Sequence, residues 1–220
     1  MKGTRASRPR GGWQFTTAAV LAREVTARIF GPAVAWLVHG PSVDGVDHLV
    51  GLQAPILICP THASHLDFSV LRLALGRRYR RRLAPAVAAD YFTASRQRWF
   101  FAAWLGAFPF ERRRRGASAS FHEAERLLGA GWSVLIFPEG TRSRDGTLGP
   151  FKPGAALLAI RTGRQVLPVR IVGSHRVLPP GAVVPRRGRV LVRFGAPLVA
   201  RPDEDARALT QRLEAAIRAL

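Results

Sequence analysis

A single cysteine, Cys59, stands in the 220 residues. That count excludes an intramolecular disulfide and any zinc cage built from thiolates. Acidic residues are scarce as well: 14 Asp and Glu face 34 Lys and Arg, for a formal net charge of +20. No uninterrupted run of about 18 apolar residues occurs, so no clear transmembrane helix is read. Nor is a secretory leader, because the segment after the basic residues 1–12 is broken by Arg23, Glu24 and Arg28. Internal repeats and low-complexity linkers are missing too. The length then suits one domain with at most a short appendage.

What is present is a chain that is 47% hydrophobic, enough for a full core. The positive excess is mostly arginine, with runs at 77–82 and 112–115. Such a surface seeks anions: nucleic acid, an anionic membrane face or a phosphorylated small molecule. An arginine-rich genome is the plainer source of the same excess. Nucleic acid is not favoured, since the aromatics lie in apolar stretches rather than interleaved with the basic residues, and no nucleic-acid motif occurs. Cys59 ends the apolar stretch Pro55–Cys59 and reads as a packing residue in a buried strand, rather than as a nucleophile beside His62.

Residues 13–38 look interfacial. Leu21, Val25 and Ile29 are spaced to share a helix face, and Glu24 with Arg28 makes an i,i+4 pair. Gly31-Pro32 should break the segment, giving two short helices with tryptophans at their edges. They could lie in a bilayer interface or pack on the domain. The expected division is a basic leader and membrane-associated motif over 1–40, then a catalytic domain over 41–220.

From residue 41 onward, strand and helix patterns alternate. After a loop over 40–45, strands are expected at 54–59, 84–88, 132–137, 166–171 and 189–194, and helices at 65–75, 94–104, 118–129, 154–162 and 203–219. The last helix is marked by Asp203 and Glu204 in its first turn and by the stripe Leu209, Leu213, Ile217 and Leu220. Residues 172–188, rich in proline, read as a surface loop. The class is α/β, with a largely parallel central sheet flanked by helices. Ligands bind such sheets at the carboxyl ends of the strands.

Two motifs fall at those ends. Thr61-His62-Ala63-Ser64-His65-Leu66-Asp67 follows strand 54–59, and Phe137-Pro138-Glu139-Gly140-Thr141-Arg142-Ser143 follows strand 132–137. Histidine titrates near neutral pH, and a carboxylate on its second ring nitrogen fixes the tautomer of a general base. As a bare spacing, His62 and Asp67 fit equally a polar turn residue and an early-turn helix acid. His62, His65 and Asp67 lack a third histidine or an acidic cluster to make a metal site. Ser64 lacks the glycine elbow of a hydrolase nucleophile and is read as a cap or support for the site. Arg112, delivered by the apolar stretch Gly106–Phe110, is read as a phosphate ligand, while Arg113 to Arg115 are a solvated or membrane-facing run. Glu139 would accept hydrogen bonds from a polyol or hold Arg142. Lys152 would sit at the positive end of a helix opened by Pro153. Pro168, within strand 166–171, marks an edge, a bulge or a close approach to ligand.

In order and spacing these blocks resemble the glycerolipid acyltransferase family typified by bacterial 1-acylglycerol-3-phosphate acyltransferases. His62 and Asp67 match its His-x4-Asp block, with the usual serine at Ser64. Gly106 to Arg112 match the second block, Phe137 to Ser143 the third without a change, and the strand around Pro168 the fourth. The likeness covers roughly residues 40–200. Thr61 departs from it, standing where the family commonly has asparagine.

The resemblance implies transfer of a fatty acyl group from acyl-CoA or acyl carrier protein to a lysophospholipid hydroxyl, with no metal or resident cofactor. His62 would be the base and Asp67 its orienter. Arg112, Glu139, Gly140, Thr141, Arg142 and Lys152 would line the acceptor site, with Arg112 and Lys152 toward its phosphate. Backbone amides near the first motif would serve the oxyanion. It also implies a peripheral or monotopic place on the cytosolic face of a bacterial membrane, with an anionic membrane surface as partner. Another lysolipid acceptor fits the same motifs. A basic binding module without catalysis is the rival from another class.

Overall fold

The computed structural model describes residues 12–111, 114–143 and 145–220. Seven strands form one sheet: β1 (Ser42–Asp44), β2 (Leu57–Pro60), β3 (Leu83–Ala88), β4 (Phe108–Phe110), β5 (Ser133–Leu135), β6 (Val166–Val172) and β7 (Leu191–Phe194). Their order is β1-β7-β6-β2-β5-β3-β4, and every pairing is parallel except β6 with β7. The helices are α1 (Thr17–Leu37), α2 (Asp67–Ala74), α3 (Arg77–Arg80), α4 (Ala89–Ala94), α5 (Arg96–Trp104), α6 (Arg114–Gly129), α7 (Gly154–Thr162), α8 (Ser174–Val177) and α9 (Ala206–Ala219). The expected α/β class with a mostly parallel sheet is what the chain forms.

β2 lies near the middle of the sheet and is buried along its whole length. Its side chains alternate between faces, as the period of a strand requires. Leu57 and Cys59 join a core with Val134, Leu158, Leu209, Leu213 and Ile217. Ile56 and Ile58 join the other, with Val70, Leu71, Leu167 and Val192. A parallel sheet covered on both faces demands such continuously apolar strands. Cys59 has no exposure, and burial pushes its thiol up to about 12. Iodoacetamide should therefore label it only after denaturation, because the thiolate is the reactive form. Labelling of the native protein at the denatured rate would contradict this placement.

Several expectations need correction. The segment 13–38 is not two helices broken at Gly31-Pro32. A short 3-10 turn (Trp13–Phe15) leads into the single helix α1, with Pro32 inside it. The clash that keeps a pre-proline residue out of the helical region involves its Cβ, and Gly31 has none. Glu24 does not pair with Arg28. It is buried and meets Arg72 at 3.4 Å and Arg80 at 3.2 Å. Asp203 and Glu204 precede α9 instead of loading its first turn; Asp205 caps it, accepting from Ala208 N–H at 2.7 Å. Leu209, Leu213 and Ile217 of the expected stripe are fully buried. The loops read at 40–45 and 172–188 contain β1 and α8.

Pro168 marks no edge, since β6 runs between β2 and β7. Its carbonyl accepts from Gly195 N–H at 2.9 Å, so its nitrogen faces the β7 side, where β7 has already ended at Phe194. Toward β2, the neighbouring carbonyls of Gln165 and Val169 accept from Leu57 and Thr61. The missing N–H thus falls opposite Gly195, at the very end of the β6–β7 ladder and off the β2 side, where proline disrupts least.

Candidate active site

The first motif folds around one carboxylate. Asp67 opens α2 and is completely buried. Its Oδ2 accepts from Ala63 N–H at 2.7 Å and Ser64 N–H at 2.8 Å, and stands 2.9 Å from His62 Nδ1. Those two amides turn the chain between β2 and α2 back onto the acid, which carries the imidazole with it. The pair therefore works across a turn, and leaves Nε2 of His62 as the ring nitrogen free for substrate. Ser64 is buried, donates from Oγ to Leu178 O at 2.7 Å and accepts from Leu66 N–H at 3.1 Å. Its hydroxyl is fully used in holding the loop. Thr61 Oγ1 bonds both the carbonyl and the amide of Ile171, at 3.2 and 2.9 Å, prolonging the β2–β6 ladder by a side chain.

The second motif, after β5, closes on the first. Phe137 stacks on the His62 ring with centroids 3.7 Å apart and planes 18° from parallel. Glu139 is only 6% exposed. Its Oε1 accepts from His62 N–H at 2.8 Å and its Oε2 from Gly149 N–H at 3.0 Å. Burial raises its carboxyl above the usual range, opposed by those two amides. Ser143 N–H donates to His62 O at 2.8 Å, so the backbone of His62 is gripped on both sides. Glu139 is thus a clamp between the motifs; each of its oxygens accepts from a backbone amide, one in each motif's loop. The amides of His62, Ala63 and Ser64 all serve carboxylates, which removes them as oxyanion donors.

A cavity of about 690 Å³ opens beside His62. Much of its wall is apolar, with Val87, Tyr91, Leu105, Phe110, Phe121 and Ile136 among the lining residues. Gly140, Thr141, Arg142 and Lys152 stand in the same lining, and Arg98 lies over the Tyr91 ring at 5.5 Å. Gly140 has φ +71°, and a Cβ there would fall 2.9 Å from Lys152 Nζ, so glycine lets the lysine cross the loop. Lys152 is exposed just before Pro153, the N-cap of α7. His65 also lines the cavity and its Nε2 meets Arg142. Burial, then Arg142, hold the His65 pKa below its ordinary value.

Of the residues expected from sequence, His62, Asp67, Gly140, Thr141, Arg142 and Lys152 are brought together at or behind this cavity. Glu139 supports it from behind. Pro168 is not in its wall. Arg112 lies outside the described residues. Sequence reasoning missed Phe137 as a stacking partner of the base, His65 as a partner of Arg142, and the wall from α4 and α5. The first has a signal in hindsight: a conformationally stiff aromatic directly before the Pro-Glu-Gly turn.

The "Acyltransferase" family model matches residues 41–172, more than half of the chain, taking in every strand but β7 and helices α2 to α7. A chloroplastic 1-acyl-sn-glycerol-3-phosphate acyltransferase of Brassica napus is 33% identical over 141 residues, 64% of this chain and 39% of the relative. One from Borreliella burgdorferi is 38% identical over 68 residues, 31% of this chain and 27% of the relative. This chain spans less than two fifths of the length of the plant relatives, 39% and 38%. The crystal structure of the 1-acyl-sn-glycerophosphate acyltransferase PlsC from Thermotoga maritima superimposes with a TM-score of 0.72 at 21% identity, covering 94% of this chain and 84% of that one, which is a likeness of fold. By the span and the motifs of the family match, the chain belongs to the acyltransferase family.

Proposed function

We propose that this protein transfers a fatty acyl group from a thioester, acyl-CoA or acyl carrier protein, to the free hydroxyl of 1-acylglycerol-3-phosphate, giving phosphatidic acid. The observation that carries the reading is His62, oriented by the buried Asp67, in the wall of a largely apolar cavity that also holds Arg142 and Lys152. Nε2 takes the hydroxyl proton as the oxygen attacks the thioester carbonyl carbon. The C–O bond forms, the C–S bond breaks, and the proton passes on to the departing thiolate. Asp67 stabilises the imidazolium in between. Arg142 and Lys152, with Arg112, hold the acceptor phosphate, arginine doing so bidentately. The apolar wall takes an acyl chain. That the relatives from Brassica napus and Borreliella burgdorferi are 1-acyl-sn-glycerol-3-phosphate acyltransferases supports this acceptor.

The test is thiol release from palmitoyl-CoA or oleoyl-CoA with a panel of lysophospholipids. Release that depends on 1-acylglycerol-3-phosphate supports the reading. Release with another lysolipid alone keeps the chemistry and changes the acceptor. No acceptor-dependent release from folded protein overturns it.

The lipid substrates bring the protein to a membrane surface, on the cytosolic face where acyl-CoA is found. Among the described residues no helix is long and apolar enough to cross a membrane. What supports peripheral binding is the inverted polarity of α1. Arg23 and Glu24 point inward and are buried, while Leu21, Val25, Ile29, Phe30 and Trp36 are 51–65% exposed. On α5, Phe100 and Phe101 are exposed too, and Phe100 stacks with Trp13 and Trp104. Arginines border both patches: Arg187 lies over Trp36 at 4.2 Å, and Arg96 and Arg98 are exposed on α5. Apolar residues rimmed by cations fit an anionic interface. Replacing both Val25 and Ile29 by Asp should lower partitioning onto anionic vesicles by about tenfold or more, since each apolar side chain contributes roughly 1.5–3 kcal/mol on burial. Unchanged co-sedimentation would remove α1 from the membrane contact.

A further inference from the structure

Resting on the reading of Arg142 as an acceptor-phosphate ligand, we propose that His65 is a positioning residue, which holds the Arg142 guanidinium at the cavity beside the base. His65 sits in a stretch with little freedom. Ser64 on one side is pinned to Leu178, and Ala63 and Ser64 are held by Asp67. From that fixed backbone the imidazole reaches the cavity, where Nε2 meets Arg142 Nη1. A guanidinium only donates, so Nε2 accepts, and His65 is neutral with its proton on Nδ1. The charged and titratable groups facing it are Arg142, His62 and Asp67; burial first and then the Arg142 charge disfavour its protonation.

The arrangement suits phosphate binding. An arginine fork has five N–H donors, and one given to His65 leaves others for two phosphate oxygens. The loop carrying Arg142 is anchored at Gly140, whose N–H donates to Phe137 O, and at Ser143, whose N–H donates to His62 O. What remains to be fixed is the long side chain, and His65 fixes it. The side-chain contact that His65 makes is to Arg142, and its proposed effect on the acceptor runs through that guanidinium.

The test is a double-mutant cycle on steady-state kinetics, with 1-oleoylglycerol-3-phosphate as acceptor and oleoyl-CoA as donor. His65→Ala should raise the acceptor KM by about tenfold with kcat within about twofold and the donor KM unchanged, the pattern of lost uniform binding. His65→Gln, whose amide oxygen can accept from the guanidinium, should recover most of the affinity. With Arg142→Ala already in place, His65→Ala should add nothing further. Additive effects on KM, or a fall in kcat with KM unmoved, would overturn the positioning role. Failure of the functional reading looks different: the unaltered protein would show no acceptor-dependent thiol release at all.

Discussion

His62→Ala is expected to lower kcat by about a thousandfold, the middle of the range for losing a positioned general base. The prediction is strong because the site offers no substitute. Ser64 is consumed by Leu178 and Leu66, Cys59 is buried with its thiol pushed up to about 12, and Glu139 is committed to two amides. His65 is neutral but turned to Arg142. Folding should be nearly untouched. Asp67 Oδ2 keeps the Ala63 and Ser64 amides when the imidazole is gone, so the buried carboxylate is not orphaned. A melting temperature within a few degrees of the unaltered protein, together with retained binding to vesicles, would assign the loss to chemistry. Turnover within about tenfold of the unaltered protein would remove His62 as the base.

Glu139→Ala should be costly in a different way, through stability as well as turnover. It strips the acceptor from His62 N–H and Gly149 N–H, 77 and 10 residues away in sequence. An unsatisfied buried amide costs about 1–3 kcal/mol, so the pair amounts to roughly 2–6 kcal/mol. Against a typical total of about 5–15 kcal/mol, that is a large fraction. Denaturant titration should show an earlier midpoint with little change in slope. Because the lost bond holds the backbone of the base, kcat should fall even in the protein that remains folded. Glu139→Gln should sit between, since its amide oxygen can serve one N–H while its NH2 opposes the other. An alanine variant with unchanged midpoint and reduced acceptor affinity would instead make Glu139 a direct ligand.

These two residues show how far sequence could be read. His62 and Asp67 were legible because their partnership is local, five residues apart across one turn. Glu139 was legible as important but not in its role, because its partners are backbone amides of two other loop residues, His62 and Gly149, and amides leave no mark in a sequence. Glu24 failed similarly: an i,i+4 rule offered Arg28, whereas the fold supplied Arg72 and Arg80, 48 and 56 residues on. The strands β5 and β6 and the helices α7 and α9 were visible as apolar runs of the right period between turn signals. β1 was not, being three residues, Ser-Val-Asp, with its two outer residues exposed. Pro168 misled because the rule against proline in central strands concerns a missing donor, and the place where β7 stops cannot be seen from the residues of β6.

The inverted helix α1 has a practical side. Its outward residues Leu21, Val25, Ile29 and Phe30 are absent from both main cores, while the anchoring to the rest of the molecule runs through Val20, Val34 and Leu37 against those cores and through Glu24 with Arg72 and Arg80. Repainting that outer stripe with polar residues leaves the anchoring in place. A detergent-free version for crystallisation can therefore be sought on one helix face, with the reaction chamber left as it is.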